Sequence, residues 1–213
     1  MALRVLAQTR THWGLTAHWM GSGMLALLLV WFARNAYHQW TETGSLILLG
    51  LVLYNTLLVL VTATRRPRVS TSLRIRDWVA ALLTVAISFQ FRPEEWRQTG
   101  EQVAGVILQA VGLTIMGVAV MNLGRSFGIV PANRGVKRAG IYGCVRHPLY
   151  AGEILFFTGF LLTNFSRINL IVWFGVLCGL LIRAWAEENH LRQDLEYRAY
   201  VDAVPYRFFP GLF

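Results

Sequence analysis

Charge is scarce in this sequence, and acidic charge is the scarcest. Of 213 residues only 15% are charged, with 11 acidic side chains against 20 basic ones. Soluble domains carry about 25% charged residues, so a chain that is also 55% hydrophobic is excluded from that class and belongs in a membrane. Cysteine is nearly absent. Cys144 and Cys178 stand far apart, which excludes a disulfide framework or a cysteine metal cluster, and both are read as packing residues. Histidine supplies no metal site either, because His12, His18, His38 and His190 fall in no ligand-like constellation. Ser70, Ser126 and Ser166 lie in no nucleophile setting. No fixed-period repeat and no low-complexity linker divides the chain, so residues 1–213 are expected to form a single membrane domain.

What the sequence does have is a succession of apolar runs. A helix that crosses a hydrocarbon core needs about 17 to 25 residues. Runs at Trp13–Ala33, Ser45–Ala63, Trp78–Phe91, Val103–Leu123, Pro148–Asn164 and Ile168–Ala186 are read as spans, the third being short and expected to tilt, extend at its ends or insert only in part. The first is too long for a signal-peptide core and has no convincing cleavage site, so it is expected to remain as a span. The expected fold is therefore all-α, a polytopic integral membrane helical bundle of about five to six spans.

A net charge of +9 in a soluble protein would make nucleic acid a partner, but here its distribution argues for membrane orientation instead. With a cytosolic N-terminus, the spans place Arg4, Arg10, the Arg65/Arg66/Arg68/Arg74/Arg76 group, Arg125, Arg134, Lys137, Arg138, Arg146, Arg183, Arg192, Arg198 and Arg207 inside. Only Arg34, Arg92, Arg97 and Arg167 fall outside, the asymmetry of the positive-inside rule. Both termini are thus expected in the cytosol, with attraction to anionic lipid as a secondary effect. The eight tryptophans read as interfacial belts and core packing.

Between the spans, Thr64 to Asp77 reads as a basic interfacial connector whose Ser70-Thr71-Ser72 caps the next helix. Phe91 to Glu101, with Pro93, Glu94, Glu95 and Gly100, reads as a polar turn on the opposite side. The segment from Gly124 to His147 is longer than a connection needs and points to a binding element or lid. After Ala186 a polar helix is expected from Glu187 to Val201, followed by a tail with Pro205 and Pro210 that packs against the bundle or sits at the interface.

Two motifs place ionisable residues against spans, where charge is costly and usually functional. They are Arg146-His147-Pro148-Leu149-Tyr150-Ala151-Gly152-Glu153 and Arg183-Ala-Trp-Ala-Glu187-Glu188. Pro148 suits the first turn of a helix and biases His147 towards an extended backbone. Free N–H groups and the positive dipole end at such a helix start attract anions, and Arg146 adds a fixed charge, an arrangement fit for a cofactor carboxylate or phosphate. Alternatively, Arg146 anchors a span at lipid phosphates and His147 only caps the helix. Arg183 and Glu187 stand one helical turn apart, close enough to pair, whereas Glu188 points about 100° away towards another neighbour. On its own that is an ordinary helix-end salt bridge with a solvated second glutamate. Topology puts both motifs on one side of the membrane, where they can meet.

These residues, together with Leu123-Gly124-Arg125-Ser126-Phe127, Gly140-Ile141-Tyr142 and the Tyr197-x2-Tyr200-x3-Val204-Pro205 ending, resemble the isoprenylcysteine carboxyl methyltransferases and their relatives, the phospholipid N-methyltransferases. The resemblance covers about the last ninety residues. It implies an S-adenosylmethionine-dependent methyltransferase that encloses its cofactor between the last spans, a cytosolic loop and the C-terminal segment. The acceptor would be lipophilic or lipid-linked and enter from the bilayer. By this likeness Tyr142, Arg146, His147, Tyr150, Glu187 and Glu188 bind the cofactor, Arg183 orients the acceptor, and Arg183 and Glu188 are catalytic. No metal is implied. Residues 124–213 would form the cofactor region and 1–123 the acceptor side. Arg134 stands where the family often has histidine, and the stretch between the glutamates and the tyrosines is shorter. A competing likeness, carried by the Arg-His-Pro-x-Tyr-x-Gly-acid run and the Val204-Pro205-Tyr206-Arg207-Phe208-Phe209-Pro210 ending, is to the NADPH-dependent sterol reductases. Those enzymes have further spans that are not found here, and a non-catalytic membrane scaffold is the third reading.

Overall fold

The computed structural model describes residues 2–64, 70–71, 74–92, 99–128, 132–133 and 135–211. Among the described residues seven α-helices follow one another: α1 (Ala2–Thr43), α2 (Leu46–Ala63), α3 (Ile75–Ser88), α4 (Thr99–Leu123), α5 (Pro148–Thr163), α6 (Arg167–Leu191) and α7 (Leu195–Ala203). Ser70–Thr71 (β1) pairs antiparallel with Ala132–Asn133 (β2), tying together two loops at one end of the bundle. That end, the loop end, also holds α7 and the C-terminal tail. Pro93, Glu94, Glu95, Arg65, Arg66, Arg68, Ser72 and Arg134 lie outside the described residues.

Among the described residues, Leu46–Ala63, Gly100–Ser126 and Arg167–Leu191 are long and apolar enough to cross a membrane, and the shorter Pro148–Thr163 is also apolar. The large apolar side chains on the outer surface, such as Leu53, Ile171 and Phe174, are exposed. Exposure of so many large apolar side chains suits a lipid surface.

Several sequence-based bounds shift. α1 does not stop near Ala33 but runs to Thr43, because nothing in Arg34–Thr43 breaks a helix until Gly44, whose φ of 66° reverses the chain. The expected cap at Ser70-Thr71-Ser72 is not the one used. Ser70 and Thr71 are in β1, and Arg74 precedes α3 without a side-chain cap. The helix expected from Glu187 to Val201 is divided, since α6 continues to Leu191 and α7 starts afresh, with the Asp194 carboxylate accepting from the Glu196 N–H.

Helices α4 and α5 meet through glycine. Gly112 faces Gly152 and Gly105 faces Gly159, and a Cβ at Gly112 would stand 2.6 Å from the Gly152 carbonyl oxygen and the Phe156 nitrogen. Small residues let helix backbones approach this closely, a packing mode favoured in membranes. Helices α1 and α2 fold back on one another across Gly44–Ser45 and share a core of Leu29, Leu58, Val61, Val120 and Phe127. At the end away from the loops, fully buried Asn169 accepts from the Arg92 N–H at 3.0 Å and donates to the carbonyls of Arg92 and Asn164, while Ser166 caps α6. That polar knot satisfies backbone groups that lipid could not. The effect of these contacts is to hold the starts of α5 and the ends of α4 and α6 together at the loop end.

Candidate active site

The start of α5 is built from its sequence neighbours. Pro148 occupies the first helical turn, where its missing N–H costs nothing. His147 before it has a non-helical backbone, φ −125° and ψ 57°. The tail then comes alongside: the Arg146 N–H donates to the Tyr206 carbonyl at 2.9 Å and the His147 N–H to the Arg207 carbonyl at 2.8 Å. The Arg146 guanidinium donates further, through Nη1 to the carbonyls of Val204 and Pro205, both at 2.9 Å.

The last turns of α6 bring the acidic pair to the same place. Glu188 is only 2% exposed. Its Oε1 accepts from Arg146 Nε at 3.0 Å and lies 3.2 Å from His147 Nε2. Arg207 from the tail stands 3.2 Å from the same oxygen, and Arg192 lies 3.5 Å from Oε2. A buried carboxylate survives in such a place because cations and hydrogen-bond donors surround it. Glu188 is thus the hub of a clamp joining α5, α6 and the tail, and the anion that meets Arg146 is one of the chain's own.

Glu187 turns elsewhere, as the 100° step per residue requires. It accepts a hydrogen bond from the Tyr150 hydroxyl, and its Oε2 lies 3.8 Å from His147 Nδ1. His147 therefore stands between the two glutamates, with its ring stacked on Tyr150 at 5.5 Å and 3°. The other neighbour of Tyr150 is Arg183, whose guanidinium lies 4.9 Å from the ring centroid.

Around these residues the loop end encloses a cavity. Tyr142, Arg146, His147, Tyr150 and Glu187 all line it, as do Tyr197 and Tyr200 from α7 and Gly135, Val136 and Lys137 from the long loop. The described parts of the long segment, at Ser126, Gly128 and Gly135–Lys137, thus contribute a wall of the cavity. Tyr200 donates to the Tyr142 carbonyl at 2.7 Å, which fastens α7 to that wall. Burial pushes the Tyr200 phenol up to about 12 and raises those of Tyr197 and Tyr142 as well. All three stay neutral hydroxyls at ordinary pH, so the cavity's fixed charges are those of its Arg, Lys and Glu side chains.

Glu188 and Arg183 do not line this cavity. Arg183 opens instead onto a second, larger cavity between the helices, whose lining is mostly Leu, Phe and Val. Leu149 and Gly128 border both cavities. Reading the sequence missed Arg207, Tyr197 and Tyr200 as site residues, and Glu153, which lines the second cavity. The tyrosines had a signal, since their i,i+3 spacing puts both on one helical face. Arg207 had none, being one arginine in a short tail.

The described site suits a cofactor with both a cationic and an aromatic part. Glu187 offers a carboxylate, and the tyrosines offer ring faces and hydroxyls against apolar Leu123, Val136 and Leu191. No curated protein matches the chain. A family model does match: residues 101–198 fit the one described as phospholipid methyltransferase. That stretch runs from α4 into α7 and contains Tyr142, Arg146, His147, Tyr150, Arg183, Glu187, Glu188 and Tyr197. Over that stretch the chain is thus similar to the phospholipid methyltransferase family.

Proposed function

We propose that the protein is an integral-membrane, S-adenosylmethionine-dependent methyltransferase acting on a lipophilic acceptor. The observation that carries this reading is the pair of cavities bordered in common by Leu149 and Gly128, one at the loop end lined by Glu187, Arg146, Lys137 and tyrosines, the other apolar and running among the helices. A water-soluble donor and a lipid-soluble acceptor need such separate compartments with a common border.

S-adenosylmethionine, when bound, supplies an electrophilic methyl on a sulfonium. In this chain Glu187 would offset the positive charge, and Tyr142, Tyr150, Tyr197 and His147 would enclose the rest of the molecule. Glu188 and Arg146 act by holding the wall in place. Arg183, stacked on Tyr150 and facing the apolar cavity, orients the acceptor. Fixing two reactants in line can supply about 7 to 11 kcal/mol of a barrier, so positioning is the main task of these residues. The loop end faces the cytosol, following the distribution of basic residues.

The test is incubation of purified protein in lipid nanodiscs with methyl-labelled S-adenosylmethionine and a membrane lipid extract. The expected result is label in the organic phase, lost in Glu187→Gln. Oxidation of NADPH by a lipid in that extract, with no label transferred, would instead establish the reductase reading.

A further inference from the structure

The methyltransferase reading gives Arg183 a role on the acceptor side but leaves a carboxylate there unexplained. Glu153 follows Leu149 by one turn of α5, so both lie on the same helical face, about 6 Å apart along the axis. Leu149 marks the border with the cofactor-side cavity, and Glu153 lines only the apolar one, beside Arg183 from α6 and Tyr54 from α2. An ionisable side chain in such a place is costly and is retained for function.

Resting on that reading, we propose that Glu153 binds the reacting group of the acceptor and takes its proton, so that the enzyme favours acceptors with an N–H or S–H group over carboxylates. Charge supports this. Among the described residues, Arg183 is the one guanidinium lining the apolar cavity, and Glu153 is the one carboxylate there. A guanidinium alone in a low-dielectric cavity would favour a carboxylate acceptor. With Glu153 there, an incoming carboxylate meets a like charge, whereas a protic head meets an acceptor of its hydrogen bond. Among the described residues, the other titratable groups that act on Glu153 are Glu187 on α6, Tyr54 on α2, Tyr150 on its own helix and Tyr142 in the loop.

The heteroatom gives its proton to a Glu153 oxygen, and its lone pair forms the bond to the methyl carbon as the carbon–sulfur bond breaks. The sulfonium leaves as a neutral thioether, and Glu153 later returns the proton to water. Along α2 the cavity lining runs from Leu48 to Leu58, about 15 Å at 1.5 Å per residue, enough for a twelve-carbon chain.

Dodecylamine, dodecanethiol and dodecanoate are therefore suitable probes for protein in nanodiscs. Binding of each is followed by tryptophan fluorescence, since Trp31 lines the cavity. Glu153→Gln is expected to weaken dodecylamine binding without weakening that of dodecanoate. It should lower turnover of the amine by about 10²- to 10⁴-fold, the usual contribution of a general base. The loss should shrink as pH rises towards the amine's own pKa, and Glu153→Asp should retain intermediate activity, neither of which a merely structural residue would show. S-adenosylhomocysteine binding, measured by calorimetry, should be unchanged in both variants. Wild-type amine binding and turnover in Glu153→Gln, or preferential methylation of dodecanoate by the wild type, would overturn the assignment of Glu153 alone. A wild-type protein that binds no S-adenosylhomocysteine would overturn the methyltransferase reading beneath it.

Discussion

Glu188 illustrates how much one buried side chain can hold. Its carboxylate faces Arg146, His147, Arg192 and Arg207, groups that come from the α5 start, α6 and the tail. Removing one partner of a buried ion pair typically costs 3 to 5 kcal/mol, because the remaining charge is left uncompensated. Glu188→Gln is therefore expected to lower stability by about 3 kcal/mol in thermal unfolding in detergent. Arg207→Ala should cost about 1 kcal/mol or less, since its side chain is 28% exposed and solvent screens its part of the clamp. Tyr200 gives a test in pH. Its buried phenol, pushed up to about 12, favours the neutral form in the fold, whereas an unfolded tyrosine ionises near pH 10. Its stabilisation is full below about pH 10 and is lost as pH rises towards 12. A stability–pH profile should show this alkaline loss for the wild type and a smaller one for Tyr200→Phe, which cannot ionise or donate to Tyr142. The two motifs were legible in the sequence because each is a dense cluster. Their partners in the tail were not, because a hydrogen bond from Arg146 to the Val204 carbonyl is between groups 58 positions apart and leaves no pattern in side-chain type.

At the scale of elements, α4 carries a built-in comparison. Gly112 has the α5 backbone against it, whereas a Cβ at Gly117 would meet nothing within 4 Å. Gly112→Ala should destabilise by about 1 to 3 kcal/mol, the usual cost of overpacking. Gly117→Ala on the same helix should be neutral or stabilise by up to about 1 kcal/mol, since alanine is the better helix former. Paired unfolding curves in one detergent decide this, and equal effects would remove the close α4–α5 approach from the account. The helices themselves were readable from apolar length, and α2 and α4 lie close to where the sequence puts them. Their ends were less so. α1 and α6 run beyond their apolar runs because polar helix formers such as Arg34, Gln39, Glu187 and Glu188 continue a helix once it has begun. The pairing of β1 with β2 was not legible, since two residues on each strand carry no alternation to read.

Across the whole molecule, the division of labour is between ends. The loop end assembles a polar chamber from the long loop, α7 and the tips of α5 and α6, and the tail holds its outer wall by accepting from Arg146 and His147. Truncation after Ala203 removes those carbonyls along with Arg207. It is expected to weaken cofactor binding at least tenfold while the helices remain folded, which far-ultraviolet circular dichroism would report. The core of the bundle provides the apolar chamber, and the single turn of α5 between Leu149 and Glu153 joins the two.

The most direct measurement is titration calorimetry of S-adenosylhomocysteine into the purified protein in lipid nanodiscs, with Glu187→Gln and Gly117→Ala alongside. One site of micromolar affinity is expected in the wild type, kept in Gly117→Ala and lost in Glu187→Gln. Equal binding by all three, or no binding by any, would contradict that expectation.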